Sequence, residues 1–328
     1  MLSRTADHLF WMARYTERAE NIARMLDVNV QMSLLPTMAD SVPNQGWDGM
    51  LVISELVPQF KARYGEVTAQ NVLDFMVKDT SNPSSIVSCL QAARENARAV
   101  RFSITTEVWE TLNTTWLEMG KLLKDGALDR DPGEFFEWVK YRSHLSRGVT
   151  IGTMLKDEAF YFARLGTFLE RSDATARILD VKYHSLVPQT GIAQRGTAVR
   201  LNEPHDVQRD FYHWAAVLRS VSAFEIYRKV YRDVITPARV AELLMLRPDM
   251  PRSLIASLNE LVSNIEQVAN DRSRETQRRA GLLRAELQYS RIDDILATGL
   301  HTYLTTFLER VADIGNRISR DFLVPIAA

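Results

Sequence analysis

Two stretches of this chain set the same ionisable residues at the same spacing. Glu17, Arg18, Glu20, Arg24 and Asp27 in the first are matched by Glu170, Arg171, Asp173, Arg177 and Asp180 in the second. Positions three and four apart share one side of a helix, because each residue advances about 100° around the axis. A row of carboxylates and guanidiniums on one helix side supports three kinds of chemistry. Its carboxylates can move protons if their environment tunes them. Its guanidiniums can hold a carboxylate or phosphate through paired N–H donors. The two signs can also simply satisfy one another, either as i, i+4 pairs in water or as a network inside a bundle. Gln31 ends the first row and His184 the second. A separate basic row, Arg94, Glu95, Arg98 and Arg101, also steps by threes and fours; it can hold an anion or pair with the acids of the first helix.

Arg18 and Arg171 sit about 100° from their Glu neighbours, toward an arc of Trp11, Tyr15, Ile22 and Leu26 in the first stretch and Phe168, Thr175 and Leu179 in the second. That arc faces a core. A buried guanidinium without a carboxylate costs several kcal/mol, so each Arg is expected to find an acid inside the bundle.

Other chemistry is thinly represented. The chain has no glycine-rich phosphate loop, no G-x-S-x-G elbow and no H-E-x-x-H pattern. Asp210-x-x-His213 is the nearest approach to the Glu-x-x-His pairs of di-iron bundles, and it stands alone. His8, His144, His184, His205, His213 and His301 show no ligand spacing, so neither a metal nor a cofactor is expected. The single Cys89 excludes an internal disulfide and a cysteine-built zinc site, and fits a reducing compartment.

The elements that must position these residues read as helices. Only 14 Gly and 11 Pro occur in 328 residues, and they gather into breaks at Leu35–Gly46, Lys78–Pro83, Lys124–Gly133, Ser185–Pro204 and Arg247–Pro251. Apolar residues recur at three- and four-residue spacing between the breaks, with no competing strand pattern. Ser3 is a candidate cap for the first helix, Pro83-Ser84 opens a segment reaching Arg101, and Thr105-Thr106 precedes the helix of Trp109 and Trp116.

Laid over one another, Glu17–Val28 and Glu170–Val181 are identical at seven of twelve positions. At a slightly larger offset Trp47 meets Trp214, Tyr64 meets Tyr231, Thr68 meets Thr236, Pro83 meets Pro251, Ser85 meets Ser253 and Asn96 meets Asn264. The expectation is an all-α helical bundle built from two diverged copies of one multi-helix unit, residues 1–156 and 157–328, packed as one globular body. A weaker third echo starts at Phe307-Leu-Glu-Arg.

The totals bound the partners. With 46% hydrophobic and 25% charged residues a real core is expected. Forty Lys and Arg against 41 Asp and Glu leave no global field to attract nucleic acid or a membrane surface. No apolar run approaches the ~20 residues of a membrane span, and the start does not read as a signal peptide, so the expected location is cytoplasmic.

Four segments, in order, carry a resemblance: Ser3 through Leu26 with Glu17-Arg18, Ala93-Arg-Glu-Asn-Ala-Arg-Ala-Val-Arg101, Thr106-Glu-Val-Trp-Glu-Thr-Leu-Asn113, and Phe162 through Asp173 with Glu170-Arg171. Together they resemble the bacterial alpha-E family, from Ser3 to about Phe322. The resemblance implies an all-helical protein often encoded beside a circularly permuted ATP-grasp ligase and a transglutaminase-like cysteine peptidase. It maps the family's hallmark onto Glu17-Arg18 and Glu170-Arg171, and an Arg-rich segment onto Arg94, Glu95 and Arg98. Thr167 stands where the family often has Arg, and Thr175 where an apolar residue is usual. The function so implied is an accessory or interaction component of an ATP-grasp-linked system that makes or modifies peptide or amide bonds, holding a peptide, a carboxylate substrate or the ligase in a Glu-Arg groove. An enzyme using the paired carboxylates and arginines for acid-base or acyl-transfer work is the alternative, and a purely structural helical scaffold the second.

Overall fold

The structure, a computed structural model, describes residues 1–34, 45–184 and 204–323, with the side chains of Gln45, 181–184 and 204–210 outside the description. The expected breaks at Leu35–Gly46 and Ser185–Pro204 lie almost wholly outside the described residues, as does the His184 side chain. Among the described residues the chain forms sixteen helices and no strand. The first eight are α1 (Ser3–Ser33), α2 (Gln45–Ile53), α3 (Val57–Tyr64), α4 (Ala69–Leu73, running on into a π turn Asp74–Lys78), α5 (Ile86–Ala99), α6 (Thr106–Lys124), α7 (Ala127–Arg130) and α8 (Pro132–Thr153). The second eight are α9 (Glu158–His184), α10 (Pro204–Ser220), α11 (Phe224–Tyr231), α12 (Pro237–Leu246), α13 (Leu254–Gln267), α14 (Arg274–Tyr289), α15 (Ile292–Thr298) and α16 (Leu300–Phe322). None of the described helices is long and apolar enough to cross a membrane.

Helix starts follow side-chain chemistry. Ser85 Oγ accepts from Ser88 N and Ser253 Oγ from Ala256 N, both at 3.1 Å, opening α5 and α13. Thr68 and Thr236 do the same for α4 and α12, and Thr105 for α6. Two sequence expectations shift. Ser3 lies inside α1, whose cap position is Leu2 without a side-chain bond, and α5 begins at Ile86 on Ser85, after Pro83-Ser84.

Other helix ends carry no glycine or proline and escape a sequence reading. Glu55 and Ser222 take left-handed φ of 57° and 55°, closing α2 and α10 where glycine is usual. Leu56 N then bonds back to Leu51 O, and Ala223 N to Leu218 O. The Met154–Asp157 break before α9 also lacks glycine and proline, but Asp157 marks it, its Oδ1 accepting from Ala159 N at 3.0 Å and Phe160 N at 3.3 Å.

The long helices α1 and α9 form the centre. α1 packs on α5, α8, α9 and α10, and α9 on α1, α13 and α16. Their pairings advance together: Phe10 lies on Gly166, Glu17 meets Arg171, and Met25 and Ile178 line one small cavity, so the two run parallel. Gly166 lets the backbones touch. A Cβ built there would collide with the Phe10 carbonyl oxygen and stand 3.3 Å from Ala13 Cβ. Apart from Arg18, every α1 residue from Thr16 to Val28 is buried, charged ones included, since helices cover nearly all of its sides. The charged row therefore does not lie opposite the core; it faces α8 and the loop before α13, inside the protein.

Candidate functional site

Each Glu-Arg pair is satisfied by the other. Arg171 Nε and Nη2 donate to the two oxygens of Glu17 at 2.9 and 3.0 Å, a two-pronged bridge from α9 to α1. Arg18 Nε and Nη2 donate to the two oxygens of Glu170 at 2.6 and 3.1 Å, the same bridge from α1 to α9. Glu and Arg must be adjacent in sequence for this. One step along a helix turns about 100°, so on parallel helices in contact the Glu of each points across at the Arg of the other.

Around Glu17 and Glu20 the network is dense. Glu17 also accepts from Arg147 Nη1 of α8 at 2.9 Å and from Arg252 Nη1 at 3.2 Å. Glu20 accepts from Arg24 Nε at 2.9 Å, Ser143 Oγ at 2.7 Å, Arg147 Nη1 and Arg252 Nη2. Arg24 continues to Ser222 Oγ at 2.5 Å and lies 2.9 Å from His144 Nε2. Asp27 takes Lys140 Nζ at 2.7 Å and Gln31 Nε2 at 3.0 Å. Glu17, Glu20, Arg24 and Asp27 are all buried.

Around Glu170 the network is sparser. Arg14 Nε joins Arg18 on it at 2.8 Å, and both guanidiniums lie over aromatic rings, Arg14 at 4.8 Å from Trp11 and Arg18 at 5.6 Å from Tyr15. Asp173 has Arg177 Nε at 2.8 Å, and Arg177 Nη1 reaches Glu55 at 2.6 Å. Asp180 lies 2.7 Å from His301 Nδ1.

Burial alone would raise these acids; the arginines decide the outcome. Arg14 and Arg18 outweigh it and hold Glu170 down at about 2. Burial is likewise overcome at Glu17 by Arg171 and Arg252, and at Glu20 by Arg252, His144 and Arg147, so both stay below their ordinary value. Asp173 goes the other way: burial, with Glu170 adding to it, raises it against the pull of Arg177. Burial pushes Arg252 down to about 10 with Arg171 and Arg24 contributing, which leaves it charged at neutral pH.

Two cavities flank the α1–α9 contact. The larger, about 440 Å³, is bounded by α1, α9 and α16 and lined by Arg14, Arg18, Asn21, Glu170, Asp173 and Arg177. The smaller, about 260 Å³, lies on the α8 side and is lined by Glu17, Arg147, Arg164, Arg171 and Thr167 among apolar side chains. Around Glu17, Glu20 and Glu170 stand six guanidiniums, those of Arg14, Arg18, Arg24, Arg147, Arg171 and Arg252, so three acids meet twice as many bases. Carboxylates so saturated are poor proton carriers at neutral pH, whereas arginines that share an acid on a cavity wall, as Arg14 and Arg18 share Glu170, suit an anion.

Arg94, Glu95 and Arg98 stand apart from this centre. Arg94 donates to Asn113 at 2.9 Å and to Glu95 at 2.7 Å, Arg98 pairs with Glu95 at 2.7 Å, and none of them reaches an acid of α1. Exposed i, i+3 pairing on α5 satisfies them locally. The centre in turn contains residues the sequence reading did not single out: Arg14, Lys140, His144, Arg147 and Arg252. An Arg one turn before Glu17-Arg18 was a usable signal for Arg14; Arg252 comes from a loop 235 residues from Glu17 and carries none. No group of three His, Cys, Asp or Glu able to hold a metal occurs among the described residues.

The Alpha-E family model, a predicted alpha-helical domain with a conserved ER motif, matches residues 1–323. Uncharacterized protein Mb2597 of Mycobacterium bovis is 23% identical over 341 aligned positions covering 93% of this chain, and Uncharacterized protein Rv2567 of Mycobacterium tuberculosis is 22% identical over the same length. This chain spans only 35% of the length of either relative. No solved structure matches it.

Proposed function

The chain belongs to the Alpha-E family, and on that premise we propose that it is a cytoplasmic binding component of an ATP-grasp-linked system that makes or modifies peptide or amide bonds. It holds a peptide or carboxylate substrate for the ligase in the arginine-rich cavity beside Glu170. The observation that carries this reading is that two arginines of that cavity wall, Arg14 and Arg18, share one acid, Glu170. The long relatives, in which the matching segment is about a third of the chain, support a unit that works joined to another domain. The saturated state of Glu17, Glu20 and Glu170 favours binding over acid-base catalysis.

The architecture under this reading is a duplicated unit, 1–156 and 157–328. Support comes from the eight-by-eight order of helices, the paired caps Ser85 and Ser253, and the paired left-handed residues Glu55 and Ser222. The exchanged bonds add to it: Arg177 reaches Glu55 while Arg24 reaches Ser222, as Arg171 reaches Glu17 while Arg18 reaches Glu170. A two-fold relation produces this reciprocity.

The test is amide-ligase turnover and pull-down with the neighbouring ATP-grasp protein, with and without this chain. Both respond if the reading holds; if neither changes, it is wrong. Glu17→Gln and Glu170→Gln distinguish an enzyme, which would lose rate while keeping its fold and partner.

A further inference from the structure

The larger cavity differs from its counterpart in one decisive place. Under the duplicated architecture proposed above, on which this inference rests, Glu170 and Asp173 correspond to Glu17 and Glu20, and Ser84 corresponds to Arg252. Arg252 is driven between Glu17 and Glu20, with Nη1 on Glu17 and Asn21 and Nη2 on Glu20. Ser84 is too short to do the same for Glu170 and Asp173, and it lines open space. The cavity is thus the volume that a cation fills on the other side of the α1–α9 contact.

Its walls are left electrically incomplete at both ends. Among the described residues Asp173 forms an ion pair with Arg177 alone, where Glu20 pairs with three arginines. At the other end, Nη1 of Arg14 and Nη1 of Arg18 have no hydrogen-bond partner among the described residues, since Glu170 uses only Nε and Nη2 of each. Asn21, 5% exposed, also lines the cavity, and its Nδ2 has no hydrogen-bond partner among the described residues. The orientation of that amide is fixed. Arg252 is a donor only, so the atom it bonds at 3.0 Å must be Oδ1, and Nδ2 remains as an unused donor. A buried donor without an acceptor is costly, and a bound acceptor removes the cost.

We infer that the cavity binds a small zwitterion, an amino acid or short peptide, whose carboxylate takes the free N–H groups of Arg14, Arg18 and Asn21 and whose ammonium takes the place beside Asp173 that Arg252 holds beside Glu20. At about 440 Å³ the space is of the size that small-molecule sites occupy, and its remaining wall, with Phe10, Trp11, Ile22 and Leu169, suits an apolar side chain.

The experiment is isothermal titration of the full chain with leucylalanine, its N-acetyl form and its C-terminal amide, beside free leucine. Binding of leucylalanine or leucine, weakened at least about tenfold by either cap, is expected. Ser84→Arg should fill the cavity with the chain's own cation and abolish binding without lowering the melting temperature. Asp173→Asn, which keeps the volume, should weaken the free dipeptide and leave the N-acetyl form unchanged. If the N-acetyl form binds as well as the free one, the zwitterion assignment is overturned while the carboxylate reading survives. If nothing binds up to about 10 mM, both fall. If Ser84→Arg folds and binds like the parent, the site is elsewhere and the inference is overturned.

Discussion

Replacing Glu170 by Gln removes the acid that Arg14 and Arg18 share. In the folded protein these arginines hold its carboxyl at about 2 against an ordinary 4.5, and at 1.36 kcal/mol for each pH unit that difference is worth about 3 kcal/mol of stability. The same figure comes from the other direction: breaking a buried ion pair costs about 3–5 kcal/mol, and the low end applies here because Arg14 and Arg18 keep some contact with water. A depressed carboxylate stabilises the fold above its unfolded pKa and loses that contribution as pH falls through the folded one. The gap between parent and E170Q should therefore be full at neutral pH, shrink below about 4.5, and fall to about 1 kcal/mol near pH 3. Urea unfolding of both proteins at the two pH values, followed by far-UV circular dichroism, measures it. A gap below about 1 kcal/mol at neutral pH, or one that does not close on acidification, refutes the assignment of Glu170 as a buried, doubly paired acid.

Three further outcomes follow from the same structure. Gly166→Ala should lower stability by about 1–3 kcal/mol or more, because its Cβ meets backbone of α1, whereas Gly120→Ala, with nothing within 4 Å in α6, should be neutral or stabilising by up to about 1 kcal/mol; thermal melts of the two rank them. Glu95→Gln, on an exposed pair with Arg98, should change stability by less than about 1 kcal/mol in the same melts. Cys89 is buried and its thiol is pushed up to about 12 by burial, so a thiol reagent at neutral pH should label it only as fast as the protein opens; rapid labelling of the native state would contradict its placement.

The helices were legible in the sequence because apolar spacing and scarce glycine and proline report local structure directly. The Glu-Arg rows were legible as motifs, and the need of Arg18 and Arg171 for acids followed from the cost of an unpaired buried charge. What each Arg pairs with was not legible. A motif read along one helix suggests that Glu and Arg serve each other or their own face, whereas here the partner lies about 150 residues away on a parallel helix. The turns at Glu55 and Ser222 were missed for a related reason: backbone bonds and left-handed non-glycine residues end those helices, and neither leaves a compositional mark. Arg94, Glu95 and Arg98 resembled a site in sequence because surface pairs share the spacing of buried rows.

That each Glu-Arg motif is completed by the other, and not by itself, is measured most directly by two double-mutant cycles in unfolding free energy. Glu17 with Arg171, which bridge α1 and α9, should show a coupling of about 2–3 kcal/mol, and Glu17 with its own neighbour Arg18 a coupling within about 0.5 kcal/mol of zero. The reverse order, a strong Glu17–Arg18 coupling with none between Glu17 and Arg171, would contradict the crossed arrangement on which the cavity and its proposed ligand depend.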